Sequence, residues 1–173
     1  ALLNDIEVKL NFEYKLENQD FNSKFKKIVY TGPIDKLFNY EIGVLNYRSL
    51  RFENKVLELV NFQGCAGINY TDFETPYTRI IEHKHFQFGK QKNTVITKEF
   101  PLEWKLGLER YYPVNDSRNN KLFDEYKYIS KIRDESNKFI FGGRLADYKY
   151  YDMHQVIASA LTKSKKEIIE RKK

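Results

Sequence analysis

The stretch LNYRSLRF, at residues 45–52, opens the part of the chain that decides the fold. It is rich in aromatic and apolar residues, and so are residues 67–71, 79–86 and 94–100. The segments between these runs contain glycine, asparagine or proline, residues that interrupt strands. Short strands joined by short connections are typical of antiparallel sheets. We therefore predict an antiparallel meander between about residues 43 and 100.

Two further strands are predicted ahead of this region. Residues 6–12, IEVKLNF, alternate between apolar and polar side chains, which is the period of a half-buried strand. Residues 27–30, KIVY, form a short apolar run typical of a buried strand, and the run ends in a turn around Gly32. Gly32 either lets a cofactor approach the backbone or belongs to an ordinary strand exit, and the spacing leaves both interpretations open.

The last third of the chain predicts two helices with a strand between them. The first helix begins after Asp116 or Ser117, either of which suits a capping position. Residues 138–141, KFIF, indicate a buried strand that leads into the glycines at 142–143. Asp152 occupies the capping position of the final helix. The apolar stripe of that helix consists of Met153, Val156, Ile157, Ala160, Leu161 and Ile168.

The composition is that of a folded protein. With 13 tyrosines and 13 phenylalanines among 173 residues, the chain is too aromatic for a disordered segment. The single cysteine, Cys65, rules out an internal disulfide, which fits a cytoplasmic location. No apolar run approaches the roughly 18 residues that span a bilayer, so no membrane span is predicted. Because the chain starts without methionine, we expect a truncated or processed product.

The net charge of +6 is concentrated at the carboxyl end. Residues 163–173 hold six basic and two acidic residues and so contribute +4, which leaves +2 for the rest of the chain. A basic patch confined to one final helix is usually a solvated face, so no nucleic-acid partner is predicted. A nucleic-acid module that works through this tail is kept as an alternative.

The residue types of common catalytic sites lack the spacing that such sites need. His83 and His85 alternate in a predicted strand beside Glu82, but no third residue has metal-ligand spacing, so no metal site is predicted. Cys65 lies between small residues without an adjacent base, which favours a packing role over a nucleophile.

Arginine next to tyrosine and glycine is the pattern that does suggest a site. Arg79 opens a predicted strand after Tyr77, Tyr112 lies in a loop, and Arg144 follows the glycine pair and precedes Tyr150. Arginine is a planar multidentate donor for a diphosphate, and tyrosine adds a hydroxyl and a ring that covers a base or sugar. Surface arginines and core tyrosines would give the same pattern, so spacing alone leaves an anion site as one of two interpretations.

Several long motifs follow each other in the chain without large gaps: VYTGPID (29–35), YRSLRFE (47–53), NYTD (69–72), PYTRIIEHKHF (76–86), PLEWK (101–105), YYPVND (111–116) and GGRLADYKYYDMHQ (142–155). In this order they resemble bacterial UDP-galactopyranose mutases. The resemblance covers nearly the whole chain from about Lys27 onward, and so many long motifs together are specific.

The resemblance implies an enzyme that interconverts UDP-galactopyranose and UDP-galactofuranose on a reduced FAD. The flavin would attack the anomeric carbon, expel UDP and carry the sugar as a covalent adduct while the ring reopens and recloses. No catalytic side chain is then needed, because the protein holds the diphosphate and the flavin in line. By the same resemblance Arg79 clamps the diphosphate, Tyr112 and Tyr150 donate hydroxyls to it, and Asn69 lines the substrate pocket.

The flavin-binding residues implied by the resemblance lie in the turns and at the start of the last helix. Arg144 would lie against the flavin, and Asp152 and Met153 would meet its ribityl and ring region. Gly32, Gly143 and Tyr151 complete the implied cofactor site. Asp152 is also a plain helix cap in form, so both roles stay open for it. Arg48 and Arg51 belong to a family motif, but neither receives a role.

One departure from the family pattern limits what this chain does alone. No Gly-x-Gly-x-x-Gly pyrophosphate loop occurs in it. We therefore assign residues 1–42 and 116–173 to the return segments of a Rossmann-like FAD-binding domain. Residues 43–115 are assigned to an antiparallel substrate-binding sheet, so the predicted fold class is α+β.

Three further expectations follow from the same departure, and a fourth, the homodimer, is implied by the resemblance. The isolated chain should be inactive and should not retain FAD. The missing N-terminal part should dock on an exposed apolar face, and the full-length protein should be a homodimer. The alternative function is a non-catalytic module that binds a nucleotide sugar or another polyanion.

Overall fold

The computed structural model describes residues 3–134 and 136–170 and divides into two compact units. Residues 46–114 form the first, the sheet unit, and the residues up to 45 together with those from 115 onward form the second, the helical unit. The elements in chain order are α1 (Gln19–Ser23), β1 (Ile28–Tyr30), α2 (Ile34–Leu37), β2 (Tyr47–Leu57), β3 (Gly67–Asn69), β4 (Arg79–Glu82), a 3-10 helix (His83–Gln87), β5 (Thr94–Glu103), β6 (Tyr112–Pro113), α3 (Ser117–Arg133), β7 (Phe139–Phe141), α4 (Gly143–Ala146) and α5 (Met153–Glu170). The predicted α+β class with an antiparallel sheet is confirmed.

The sheet unit is one five-stranded antiparallel sheet in the order β3-β4-β5-β2-β6. The prediction of antiparallel pairing is therefore confirmed, and β3, β4 and β5 form a meander. The meander order is wrong for β2, which pairs with β5 and β6 and not with its neighbour in sequence, β3. Its eleven residues pair with β5 over ten positions, a longer ladder than the three-residue β3 offers.

One predicted strand segment forms no strand, and another is shorter than predicted. Residues 6–12 form no strand in the described chain, and their apolar side chains are exposed, with Leu10 at 82%. An alternating pattern yields a strand only where a neighbouring edge can pair with it. The strand predicted at 79–86 ends at Glu82, and a 3-10 helix follows because Lys84 turns inward to donate hydrogen bonds to the carbonyls of Val60 and Gln91.

A buried carboxylate organises the core of the sheet unit. Glu82 has no exposed surface and accepts hydrogen bonds from the backbone N–H groups of Phe62 and Gln63 and from the hydroxyl of Thr94. Its Oε2 also lies 3.0 Å from Nε2 of His85. Burial alone would raise the pKa of Glu82, but these hydrogen bonds outweigh it and lower the pKa to about 2.

The helical unit pairs its two strands in parallel, with β1 beside β7 over three positions. The predicted strands at 27–30 and 138–141 are thus present, but they are not buried, since Val29 is 65% exposed. Tyr126 on α3 is fully buried and donates a hydrogen bond of 2.6 Å to the carbonyl of Gly43. Burial, together with the charges of Asp35 and Glu41, raises the pKa of Tyr126 to about 12.

Both predicted helices of the helical unit are confirmed. Asp116 caps α3, because its Oδ1 accepts a hydrogen bond of 2.7 Å from the backbone N–H of Asn119. Helix α5 covers the predicted stripe but buries none of its described residues, and Ile157 and Leu161 remain 58% and 56% exposed. No helix in the described ranges is long and apolar enough to cross a membrane.

Candidate functional site

Arg79 is the predicted substrate residue with the best-defined surroundings. Its Nε donates a hydrogen bond of 2.8 Å to Oδ1 of Asn69, its register partner on β3. Its NH1 lies 3.6 Å from Oε2 of Glu99, its register partner on β5. The side chain of Arg79 nevertheless stays 44% exposed. Its neighbours therefore orient the guanidinium while other N–H groups remain accessible to an anion.

Tyr112 shares the sheet face of Arg79 but lies on a strand that is not adjacent to it. Register partners and alternate residues of a strand point to the same face. Arg79 is in register with Glu99, and Glu99 is in register with Phe52. Arg48 lies four residues before Phe52, on the same face, and is in register with Tyr112. Strands β5 and β2 separate the strands of Arg79 and Tyr112.

Arg48 and Arg51, which received no role from the sequence, lie on opposite faces of the sheet. Arg48 is exposed on the face of Arg79, whereas Arg51 points to the opposite face. There Arg51 pairs with Glu53 and lies 4.1 Å from the ring centre of Phe100. The contacts of Arg51 are thus those of a surface packing residue.

The predicted glycine sites lie at the carboxyl ends of the two parallel strands. Gly32 comes two residues after β1 ends, and Gly143 comes two residues after β7 ends. The backbone at Gly143 has a φ of 84°, which favours glycine, and a β-carbon there would lie 3.6 Å from the side chain of Thr31. In open α/β sheets, ligands bind outside the carboxyl ends of the strands. Gly32 and Gly143 therefore lie at the strand ends where the sequence predicts cofactor contact, and that contact stays a prediction.

Arg144 is held by the tyrosines that follow it. Its NH2 donates a hydrogen bond of 2.6 Å to the carbonyl of Tyr151, and its guanidinium carbon lies 5.6 Å from the ring centre of Tyr150. The hydroxyl of Tyr151 donates a hydrogen bond of 3.1 Å to Oδ2 of Asp147. The segment from Gly143 to Tyr151 thus brings four of the predicted site residues together within the helical unit.

Asp152 and Met153 lie where the sequence predicts, at the start of α5. Within the described residues the Asp152 carboxylate makes no capping hydrogen bond. Instead, the backbone N–H of Asp152 donates a hydrogen bond of 2.9 Å to Oε1 of Gln155. Met153 is 82% exposed. Both side chains are therefore available for contact with a ligand.

The histidines and the cysteine have local partners. His83 Nε2 lies 2.6 Å from the hydroxyl of Thr97, and His85 contacts Glu82 and Asn61. The two histidines lie on a 3-10 helix, so the predicted shared sheet face is wrong. Cys65 is exposed, and its sulfur lies 3.6 Å from the carbonyl of Gly67. Across residues 3–134 and 136–170, no group of three His, Cys, Asp or Glu side chains could hold a metal ion.

Sequence reasoning missed the residue that ties α5 to the glycine turn. Lys163 was grouped with the basic tail, yet its Nζ donates hydrogen bonds to the carbonyl of Phe141 and to both oxygens of Asp147. A signal was present in the sequence. Val156, Ser159 and Lys163 follow each other at helical spacing, so Lys163 falls on the face that α5 turns toward the strands.

Comparison with known proteins identifies the chain's relatives. The family model for UDP-galactopyranose mutase matches residues 2–150. The chain is 37% identical to a dTDP-fucopyranose mutase of Escherichia coli over 81% of this chain and 37% of the relative. It is 35% identical to a probable UDP-galactopyranose mutase of Klebsiella pneumoniae, over 91% of this chain and 39% of the relative. It is 39% identical to a UDP-galactopyranose mutase of Mycoplasma pneumoniae, over 80% of this chain and 35% of the relative. The chain therefore spans less than half the length of the curated relatives it matches.

Proposed function

The chain belongs to the UDP-galactopyranose mutase family, and from this premise we propose that it forms part of an isomerase that interconverts UDP-galactopyranose and UDP-galactofuranose. The substrate is a nucleotide sugar whose diphosphate leaves and returns during the reaction. The observation that carries the proposal is Arg79, oriented by Asn69 and Glu99 on an exposed sheet face.

The role of the sheet unit in this proposal is to hold the diphosphate. A departing UDP gains negative charge, and a fixed guanidinium stabilises that charge without reorganising. Asn69 engages the Nε of Arg79, so the terminal nitrogens are those that would meet the phosphate oxygens. Glu99 holds Arg79 in place at some cost in anion affinity, because it partly neutralises the guanidinium. Tyr112 would donate its hydroxyl to the same diphosphate.

The role of the helical unit is to hold FAD and part of the substrate. Gly32 and Gly143 would admit the cofactor to the backbone, Arg144 would lie against the flavin, and Tyr151, Asp152 and Met153 would border it. Tyr150 would donate its hydroxyl to the substrate diphosphate. The chemistry supplied by reduced FAD, when it is bound, is nucleophilic displacement of UDP at the anomeric carbon and later return of the sugar to UDP.

The wider setting of the enzyme is also part of the proposal. Because the chain spans less than half the length of its relatives, we propose that it acts within a longer polypeptide whose remaining part completes the flavin site. The working form would be a cytoplasmic homodimer. Residues 1–173 alone would be colourless and inactive, since their sequence holds no glycine-rich pyrophosphate loop.

The test uses the full-length polypeptide that contains residues 1–173. With dithionite-reduced FAD, the wild type should convert UDP-galactofuranose to UDP-galactopyranose, measured by chromatography of the two sugars. Arg79→Ala should lower kcat/KM by about a hundredfold, because a preorganised donor to the leaving group is lost. Lys55→Ala is the matched control, since Lys55 is an exposed cation on the opposite face of the same sheet. Equal loss in both variants would contradict the proposed role of Arg79.

A second substrate pair is favoured by one relative, the dTDP-fucopyranose mutase of Escherichia coli. The same assay with dTDP-fucopyranose decides between the two pairs by the ratio of their kcat/KM values. A wild type that binds UDP but converts neither sugar would support the non-catalytic binding module instead.

A further inference from the structure

Lys163 donates its hydrogen bonds to residues 141–151, the segment that carries several of the proposed flavin residues. It lies on α5, and its Nζ donates hydrogen bonds of 2.7 Å to the carbonyl of Phe141 and of 2.7 and 2.8 Å to the two oxygens of Asp147. An ammonium has three donors, so these three acceptors use its capacity. Phe141 precedes the glycine turn and Asp147 follows α4, so one ammonium links both ends of that turn.

The contact chain continues from Asp147 to Arg144. Oδ2 of Asp147 accepts a hydrogen bond of 3.1 Å from the hydroxyl of Tyr151, and the carbonyl of Tyr151 accepts one of 2.6 Å from Arg144. The guanidinium of Arg144 in turn lies over the ring of Tyr150. The Asp147 side chain is 15% exposed and that of Lys163 35%, so solvent screens their ion pair less than it screens a surface pair.

We propose that Lys163 is a positioning residue of the flavin site, holding residues 141–151 in the geometry that presents Arg144 to the cofactor and Tyr150 to the substrate. This inference rests on the proposed function. In this proposal Lys163 acts through Phe141, Asp147 and Tyr151.

A second ion pair of α5 provides a control for the role of Lys163. Glu167 lies 3.3 Å from Lys27, which precedes β1, so this pair ties the same helix to the same strands at their other end. Among the described residues, neither partner of this pair has a hydrogen bond or ion pair to residues 141–151. Its two side chains are 20% and 23% exposed, similar in burial to the pair of Lys163 and Asp147. Glu167→Gln is therefore a matched control for loss of an α5 anchor.

The experiment measures FAD affinity in the full-length polypeptide after removal of the bound cofactor. Apoprotein is titrated with FAD and the quenching of flavin fluorescence gives Kd, with circular dichroism confirming that each variant is folded. Lys163→Met should raise Kd by about tenfold, since charged hydrogen bonds that orient the site are lost. Lys163→Arg should recover most of the affinity, and Glu167→Gln should stay within about twofold of wild type.

The outcomes separate this inference from the proposed function. A wild type that binds no FAD overturns the proposed function, and this inference with it. A wild type that binds FAD while Lys163→Met binds equally well overturns the inference alone. It is also overturned if Glu167→Gln weakens FAD binding as much as Lys163→Met does, because the helix anchor would then be generic.

A milder variant keeps the test decisive if Lys163→Met does not fold. Tyr151→Phe removes one hydroxyl from the same contact chain and should raise the Kd for FAD by about threefold. An unchanged Kd in Tyr151→Phe then overturns the inference.

Discussion

The five strands of the sheet unit form one continuous hydrogen-bonded sheet, whereas the two strands of the helical unit pair only with each other among the described residues. Strand β5 has a neighbour on each side, and the buried Glu82 has a donor for each oxygen. In the helical unit, β1 and β7 pair only with each other among the described residues, although parallel sheets are normally buried on both faces. The helix α5 leaves its apolar stripe exposed.

The difference follows from how far apart in sequence the partners lie. Strands β3, β4 and β5 are joined by short connections, so the ladder forms from contiguous residues. Ile28 pairs with Phe139, and the chain between them must close a long loop for a ladder of three positions. We infer that strand pairing in the helical unit depends more on the rest of the polypeptide than strand pairing in the sheet unit does.

The largest expected effect comes from breaking the centre of the sheet unit. Glu82→Ala removes the acceptor of Phe62, Gln63 and Thr94 in a fully buried site. We expect a loss of about 3–5 kcal/mol in the free energy of unfolding, because the donors are left buried and unpaired. Urea denaturation followed by circular dichroism measures the loss.

Glu53→Ala is the control for that variant. Glu53 lies on the same sheet with 53% side-chain exposure and pairs with Arg51 on the surface. Its replacement should change stability by less than about 1 kcal/mol. Similar losses in the two variants would show that Glu82 does not organise the core of the sheet unit.

The second prediction compares the strands of the two units directly by hydrogen exchange. Backbone amides of β5 should exchange about a hundredfold more slowly than those of β1 and β7, because exposed short ladders open locally. Exchange followed by mass spectrometry on the 173-residue chain gives both rates in one sample. Equal protection in β5 and β1 would contradict the contrast drawn between the units.

The same contrast explains which elements the sequence predicted. Asp116 marks the start of α3 because a cap acts on its own next turn, and β5 is rich in β-branched and aromatic residues, which favour strands. Residues 6–12 carry an equally clear alternation and form no strand, because pairing depends on a distant edge. The strand predicted at 79–86 ends at Glu82 because Lys84 donates to two carbonyls that only the folded chain brings together.

For the candidate site too, the sequence predicts residue types but not the contacts between them. The sequence supplied the residue types, and the resemblance supplied roles for Arg79 and Arg144 that remain predictions. The contact of Asn69 with Arg79 depends on the pairing of β3 with β4, which spacing alone does not fix. Helical spacing places Lys163 on the inner face of α5, but its acceptors lie 16 and 22 residues away, so local spacing does not identify them.

The third prediction uses pH to sharpen the role of Glu82. Its pKa is lowered to about 2 in the folded chain, from an ordinary value of 4.5. The stabilisation is therefore complete above about pH 4.5 and is lost as the pH falls toward 2. The melting temperature of the wild type should fall through this window by at least about 3 °C more than that of Glu82→Gln. Parallel pH curves for the two proteins would argue against the lowered pKa.

The smallest expected effect tests whether a local contact in the helical unit acts only locally. Asp116→Ala removes the cap of α3 and an acceptor of the fully buried Asn119, and should cost about 1 kcal/mol. Asp124→Ala, on the same helix with 73% side-chain exposure, should cost less than about 0.5 kcal/mol. Hydrogen exchange in Asp116→Ala should quicken in α3 and leave β5 unchanged, because a cap acts on its own helix. If hydrogen exchange in β5 quickens as much as exchange in α3, the two units unfold together. The difference in strand pairing between the units would then have no consequence for stability.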